Sequence, residues 1–247
     1  MTDPTPNEVS LRPTSDQTWP LWAALVLVAV SIGSAMTLAG VVQSGWLASL
    51  DGAQQTLAYF FLYTTPYAVA FLLARVFAAI FGWRIGPSLG FRAFDVSEGV
   101  ALALGVAIVG RVLSTGWGVA ISLLGFEPPA ELDVTALMPT DALGIVLLVA
   151  LVVIIGPVVE EIIFRGALYP AIRARTGAGL AMVLSGIVFG LIHVDLLWLV
   201  VPTALLGIAL AWLYERTRSL WVPILCHAVF NLTALALAFL VKSLDLV

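Results

Sequence analysis

The sequence predicts an all-α fold, a polytopic bundle of transmembrane helices with about seven spans and a cytoplasmic N-terminus. Hydrophobic residues make up 61% of the 247, and only 11 basic and 15 acidic residues are present. Soluble domains normally have about 45–50% apolar and about 25% charged residues, so these few charges cannot cover a soluble surface. The charges are also clustered, which leaves long apolar runs between them. Lipid is therefore the expected solvent for most of the chain.

Seven runs are each long enough for one helical crossing, which takes about 20 residues. Because backbone groups cannot stay unpaired in lipid, the spans should be helices. The seven runs are Gln17–Leu50, Gly52–Ala74, Gly99–Phe126 (interrupted only by Arg111), Ala142–Val159, Thr176–Val194, Leu196–Tyr214 and Ser219–Val241. The stretch Gly166–Ile172 is too short to cross and predicts an eighth, partial element.

The sequence predicts one integrated membrane domain with three parts. Residues 1–18 form a flexible polar tail, residues 19–141 the N-terminal transmembrane helices, and residues 142–241 a helical core that carries the candidate site. Basic loops stay in the cytoplasm, and one alternating set of connections carries the basic residues Arg75, Arg84, Arg92, Arg165, Arg173, Arg175, Arg216 and Arg218. The opposite set carries only acidic residues, namely Asp51, Glu127, Glu131, Asp133, Asp141 and Asp195. We therefore expect an integral protein of the plasma membrane with its N-terminus inside.

Ionisable residues inside spans are costly and are candidates for function. The segment VVEEIIFRGALYPA places Glu160 and Glu161 at the end of a long apolar run, and Arg165 follows Glu161 by four residues. Glutamate at i and arginine at i+4 meet on one helix face, so Arg165 can neutralise Glu161. Glu160 points about 100° away and has no local partner. It is a candidate general base, or both carboxylates simply mark the end of the helix.

The two histidines of the chain both lie in apolar runs. Phe189 and His193 are four residues apart and share a helix face, and so are His227 and Asn231. A histidine and an asparagine on one face can donate to a developing oxyanion, or they can act as interhelical hydrogen-bonding groups. His193 is either a base or a hydrogen-bonded core residue.

Arg111 lies in the middle of an apolar run. It can neutralise Glu160 or Glu161, or reach a water-filled cavity, and structural pairing is the role that we favour. Together these residues form a set that suits hydrolysis of an acyl bond. A glutamate and a histidine can activate water, and a histidine with an asparagine can stabilise the tetrahedral intermediate.

Three motifs give the sequence a family resemblance. The patterns EExxxR (Glu160, Glu161, Arg165), FxxxH (Phe189, His193) and HxxxN (His227, Asn231) occur in this order. The chain thereby resembles the CPBP family of intramembrane proteases, also known as the CAAX-protease and bacteriocin-processing or Abi family. The resemblance covers about Leu143–Leu240.

The resemblance implies an intramembrane endopeptidase without a cofactor. In that scheme Glu160 and His193 activate the water, His227 and Asn231 form the oxyanion hole, and Glu161 with Arg165 balances charge. The alternative is a zinc enzyme with Glu160, His193 and His227 as ligands, since zinc needs three protein ligands plus water. Membrane lipid and a peptide or membrane-associated protein substrate are the expected partners. No nucleic acid is expected, because the net charge is −4. The site should open to the cytoplasm.

A simple measure of depth conflicts with this site. At about 1.5 Å per residue, Glu160 falls near the cytoplasmic face, and His193 falls roughly 20 Å deeper. We therefore expect the run Thr176–Val194 to be shallow or tilted, with the turn at Val194–Asp195 inside the membrane. The competing functions are a transporter that relays protons or ions through the same buried charges, and a non-catalytic immunity protein.

Overall fold

The computed structural model describes residues 18–126, 139, 141–193 and 197–244. Within these ranges the structure is helical and has no strands. The helices are α1 (Leu21–Gln43), α2 (Gly52–Ile80), α3 (Ile85–Leu89), α4 (Val96–Leu123), α5 (Ala142–Thr176), α6 (Ala178–Leu191), α7 (Leu197–Thr217) and α8 (Trp221–Ser243). A short 3₁₀ turn, Trp46–Ser49, follows α1. The predicted all-α fold is confirmed.

In the described part of the chain, seven helices, all except α3, correspond to the seven predicted runs. Of these described helices, α2, α4, α5, α7 and α8 are long and apolar enough to cross a membrane. Two apolar segments are shorter, and these are Leu21–Ser34 and Ala178–Leu191. The number of spans and the side of the N-terminus stay predictions. Many large apolar side chains at the surface, including Leu123, Ile108 and Val112, are more than half exposed, as expected where lipid covers the protein.

The predicted partial element at Gly166–Ile172 is wrong. These residues continue α5, which runs without a break for 35 residues from Ala142 to Thr176. The charged pair Glu160–Glu161 does not interrupt the helix, because Glu161 is neutralised inside the fold, as described below. The short extra helix is instead α3, which connects α2 to α4. Three sequence features lie outside the described residues: most of the tail 1–18, the acidic residues Glu127, Glu131 and Asp133, and the turn at Val194–Asp195.

Aspartate residues begin two of the helices. The Asp95 carboxylate accepts the Glu98 N–H (2.9 Å) and the Ser97 hydroxyl (2.7 Å) at the start of α4. These hydrogen bonds, above all the one from the Glu98 N–H, hold the pKa of the Asp95 carboxyl below its ordinary value. Asp141 accepts the Gly144 N–H (2.9 Å) at the start of α5 in the same way. Both caps satisfy backbone donors that have no partner within the helix.

Helix α5 alternates between α and π geometry. Two π-helical stretches, at residues 150–155 and 162–168, flank a short α-helical segment, Gly156–Glu161. π-Helical turns are rare and occur frequently at functional sites. A helix of 35 residues is about 50 Å long, which exceeds the roughly 30 Å of the hydrocarbon core. The helix therefore extends beyond the hydrocarbon core or tilts within it, and the shallow or tilted course expected for the run Thr176–Val194 stays a prediction.

Helices α6 and α7 pack backbone against backbone. A side chain at Gly186 would come within 2.7 Å of the Ile208 nitrogen, and one at Gly190 within 2.6 Å of the Val200 carbonyl oxygen. The glycines of α6 thus let the backbones of the two helices approach closely. This close approach fixes the end of α6, where Phe189 lies, against α7.

Candidate active site

The site is built around a buried ion pair within α5. Arg165 Nη1 donates to Glu161 Oε1 at 2.9 Å, and both side chains are fully buried. The predicted pairing at i and i+4 is therefore present. Arg165 Nη2 also donates to the carbonyl oxygen of Gly207 on α7 (2.7 Å), and the guanidinium lies over the Phe189 ring with 4.7 Å to the centroid. The charge of Arg165 is thus held by three helices, α5, α6 and α7.

His227 on α8 lies between the two carboxylates of α5. Its Nδ1 is 3.0 Å from Glu161 Oε1, and its Nε2 is 3.8 Å from Glu160 Oε2. The first distance is a hydrogen bond, and the second is too long for one. A single water molecule can, however, lie within hydrogen-bonding distance of two polar atoms separated in this way. The Glu160 side chain is 15% exposed and the Glu161 side chain 0%, so Glu160 is the more accessible of the two carboxylates.

Phe189 connects the second histidine to this cluster. The ring centroids of His193 and His227 lie 5.2 and 5.6 Å from the centroid of the buried Phe189 ring. His193 Nδ1 is 2.8 Å from the Phe189 carbonyl oxygen, which can only accept, so Nδ1 carries the proton of this hydrogen bond. The other ring nitrogen, Nε2, is then the one available as a base or acceptor. His193 thus joins the cluster through Phe189, whereas His227 contacts the carboxylates directly.

Asn231 is held by an irregularity in the α5 backbone. The Gly156 N–H bonds to the Leu151 carbonyl five residues earlier, and Pro157 has no N–H to donate. The Val152 carbonyl oxygen therefore lacks both of its possible partners within the helix. These are the N–H four residues later, which an α-helix would provide, and the N–H five residues later, which a π-helix would provide. The Asn231 side-chain amide donates to this carbonyl instead, at 2.9 Å. The amide of Asn231 is thereby fixed one turn from His227 along α8.

A residue that the sequence motifs do not include also reaches the site. The Tyr67 hydroxyl of α2 donates to Glu160 Oε1 at 3.0 Å. The two residues are 93 positions apart, so no local spacing could indicate the contact. The only available signal was a tyrosine next to a proline, Pro66, inside an uncharged run.

Arg111 does not contact the glutamates in the part of the chain that the structure describes. It donates to the Phe230 carbonyl oxygen (2.6 Å) and to the Thr233 hydroxyl (3.3 Å), and its guanidinium lies 3.9 Å from the centroid of the Phe230 ring. The hypothesis that Arg111 neutralises Glu160 or Glu161 is therefore wrong. The physical reason is that Glu161 already has Arg165 as its cation, while Arg111 ties α4 to α8.

The candidate zinc ligands Glu160, His193 and His227 do not converge on one point. Among the described residues, no three side chains of histidine, cysteine, aspartate or glutamate converge as metal ligands. The Phe189 ring separates His193 from His227. In this arrangement Glu160, His193 and His227 do not form the three-ligand set that zinc needs.

The fold and this cluster define an integral membrane protein whose bundle of apolar helices contains two carboxylates beside an imidazole. A comparison with known protein families gives a match for part of the chain. The model of the family described as "Type II CAAX prenyl endopeptidase Rce1-like" matches residues 142–233. This segment contains the three motifs, so the resemblance to the CPBP intramembrane proteases is confirmed for this part of the chain.

Two curated proteins are similar to part of the chain. "Putative membrane peptidase YdiL" of Bacillus subtilis (strain 168) is 42% identical over 78 residues, which are 32% of this chain and 32% of that protein. "UPF0177 protein YxdF" of Lactococcus lactis subsp. lactis (strain IL1403) is 28% identical over 79 residues, 32% of this chain and 43% of that protein. The chain thus matches less than half the length of each of these relatives. No solved structure gives a significant match.

Proposed function

We propose that the protein is an intramembrane endopeptidase, in which a water activated by glutamate cleaves a peptide or a membrane-associated protein. The observation that carries this proposal is the approach of Glu160 Oε2 to His227 Nε2, 3.8 Å apart inside a bundle of apolar helices. A water beside these two atoms, within hydrogen-bonding distance of both, would contact a carboxylate base and an imidazole. The family of residues 142–233 supports the same class of reaction.

In the proposed reaction Glu160, assisted by His193, takes a proton from the water. The water oxygen bonds to the carbonyl carbon of the scissile peptide, and the carbonyl oxygen becomes an oxyanion. His227 and Asn231 donate hydrogen bonds to that oxyanion. The C–N bond then breaks, and the proton held by Glu160 passes to the leaving amine.

The neighbours of His227 suit the role of a donor. When Nε2 donates to an oxyanion while Nδ1 donates to Glu161, the ring carries two protons and one positive charge. Glu160 and Glu161 flank the ring and provide the compensating negative charge. The Glu161–Arg165 pair, completely buried, holds one carboxylate oxygen in place for this purpose.

Localisation and partners follow from the same proposal. The basic loops favour a plasma membrane protein whose site opens to the cytoplasm. Lipid surrounds the helices, and no nucleic acid takes part. The proposed reaction uses no cofactor, and the zinc version is tested as its alternative.

The first prediction concerns Glu160. Glu160→Ala should lower the cleavage rate by about 10²–10⁴-fold, because it removes the proposed general base. The measurement uses protein purified in detergent and an internally quenched peptide ending in a Cys-Ala-Ala-Xaa sequence, tested with and without an isoprenoid on the cysteine. Glu98→Gln is the matched control, since Glu98 pairs with Arg216 on the surface and should keep full activity.

The same assay separates the alternatives. Cleavage that survives both Glu160→Ala and His193→Ala contradicts the proposed mechanism. Activity that is lost with a chelator, together with one bound zinc per chain, replaces it with the zinc version. If cleavage requires the isoprenoid on the cysteine, the substrates are prenylated peptides or proteins.

A further inference from the structure

We propose that Tyr67 is a positioning residue for Glu160, supplied by a helix outside the family match. This inference rests on the proposed function. Tyr67 lies on α2, whereas the matched segment is residues 142–233. Its hydroxyl donates to Glu160 Oε1 at 3.0 Å, and this contact joins the N-terminal helices to the candidate site.

The two oxygens of Glu160 have different partners. Oε1 accepts from the Tyr67 hydroxyl, and Oε2 faces His227 Nε2 at 3.8 Å. A carboxylate on a long side chain rotates freely unless one oxygen is held. The phenol therefore determines that Oε2 is the oxygen directed at the proposed water. Glu161 is oriented differently, by Arg165 within its own helix.

A glycine makes this approach to α5 feasible. Gly156 lies one turn before Glu160, and a Cβ atom there would be 3.4 Å from the Tyr67 hydroxyl oxygen and 3.2 Å from the Leu151 carbonyl oxygen. Any side chain beyond a methyl group would occupy the position of the phenol. The glycine thus leaves a place on the surface of α5 for the end of the Tyr67 side chain.

The phenol also separates Glu160 from an apolar cleft. A cleft of about 350 Å³ lies between α2 and α5, and its walls are Phe60, Thr64, Tyr67, Ala68, Phe71, Ile155 and Val159. Those walls offer little polar surface to a carboxylate. The Tyr67 hydroxyl therefore gives Glu160 a hydrogen bond on its cleft side, while its ring completes the wall of the cleft.

The test is the removal of one oxygen atom. Tyr67→Phe keeps the ring in the wall but removes the donor, so kcat for the quenched peptide should fall about ten- to hundredfold while KM changes less than twofold. Tyr63→Phe is the matched control, because Tyr63 lies one turn away on α2 and is 41% exposed. It should leave both constants unchanged. Equal kcat values for Tyr67→Phe and the wild type overturn the inference.

A second measurement does not depend on cleavage. Melting temperatures are compared for the wild type, Tyr67→Phe, Glu160→Ala and the double variant. The loss caused by Tyr67→Phe, about 2–4 °C, should disappear in the Glu160→Ala background, because its acceptor is gone. An undiminished loss in that background overturns the inference. If the wild type cleaves no peptide, the proposed function fails, and this cycle alone decides whether Tyr67 holds Glu160.

Discussion

At the scale of single residues, one carboxylate oxygen organises the site. Glu161 Oε1 accepts from Arg165 Nη1 at 2.9 Å and is 3.0 Å from His227 Nδ1. Both partners are cationic donors when His227 is protonated. A buried ion pair is weak support for stability in itself, but breaking one leaves an uncompensated charge in a medium that solvates it poorly. The pair is therefore better understood as a fixed support for His227.

A prediction about Arg165 follows. Arg165→Met should lower the free energy of unfolding by about 3–5 kcal/mol, because the Glu161 charge stays buried without its cation. The measurement is equilibrium unfolding in mixed micelles of mild and denaturing detergent.

Two further variants make this prediction specific. Arg216→Met is the control, since its partner Glu98 is on the surface with 48% of its side chain exposed, and the loss should stay below about 1 kcal/mol. The double variant Glu161→Gln, Arg165→Met should be more stable than Arg165→Met alone. If it is not, an uncompensated charge is the wrong explanation.

At the scale of elements, the close packing of α6 and α7 positions both Phe189 and the Gly207 carbonyl. A Cβ atom at Gly207 would be 2.9 Å from the Gly186 Cα atom, so the two helices touch through glycines. Since the Gly207 carbonyl accepts from Arg165, any separation of α6 from α7 would also move the support of the ion pair.

Gly186→Ala should therefore destabilise the protein by about 1–3 kcal/mol, because its new methyl group meets the backbone of Ile208 and Ala204 as well as the Ile208 side chain. Gly179→Ala on the same helix is the control. A Cβ atom there meets nothing within 4 Å, and its free energy of unfolding should stay within about 1 kcal/mol of the wild-type value. Equal effects at the two positions would contradict the packing explanation.

The sequence predicted some elements better than others, for physical reasons. The apolar runs gave the helices, and spacing by four gave the Glu161–Arg165 pair, because both signals are local along the chain. The continuity of α5 beyond Glu161 could not be predicted, since a charge pair marks a helix end unless tertiary contacts neutralise it. The Tyr67–Glu160 and Asn231–Val152 contacts are likewise tertiary and have no local spacing.

At the scale of the whole molecule, the arrangement of charges predicts the orientation in the membrane. The structure leaves Asp51 and Arg84 exposed at opposite ends of α2. Its one cysteine, Cys226, is fully buried, so the wild-type protein offers no accessible thiol among the described residues. This background suits a labelling experiment in intact cells.

In that experiment Asp51→Cys should react with a membrane-impermeant maleimide from outside, and Arg84→Cys should react only after the cells are permeabilised. Labelling of the wild-type protein in permeabilised cells measures the background from Cys226. The reverse pattern would place the N-terminus outside and would contradict a site open to the cytoplasm.

The two π-helical stretches of α5 have a consequence for insertions and deletions. A π-helical turn accommodates one extra residue and rotates everything that follows by about 100° relative to an uninterrupted α-helix. One such stretch precedes the segment Gly156–Glu161 and another follows it. The direction in which the two glutamates point around the helix axis is thus set separately from the directions of the side chains in both flanking segments. Deleting one residue in residues 150–155 would remove the extra residue and return that stretch to α geometry, so the helix would stay continuous and Glu160 would still point toward Tyr67 and His227.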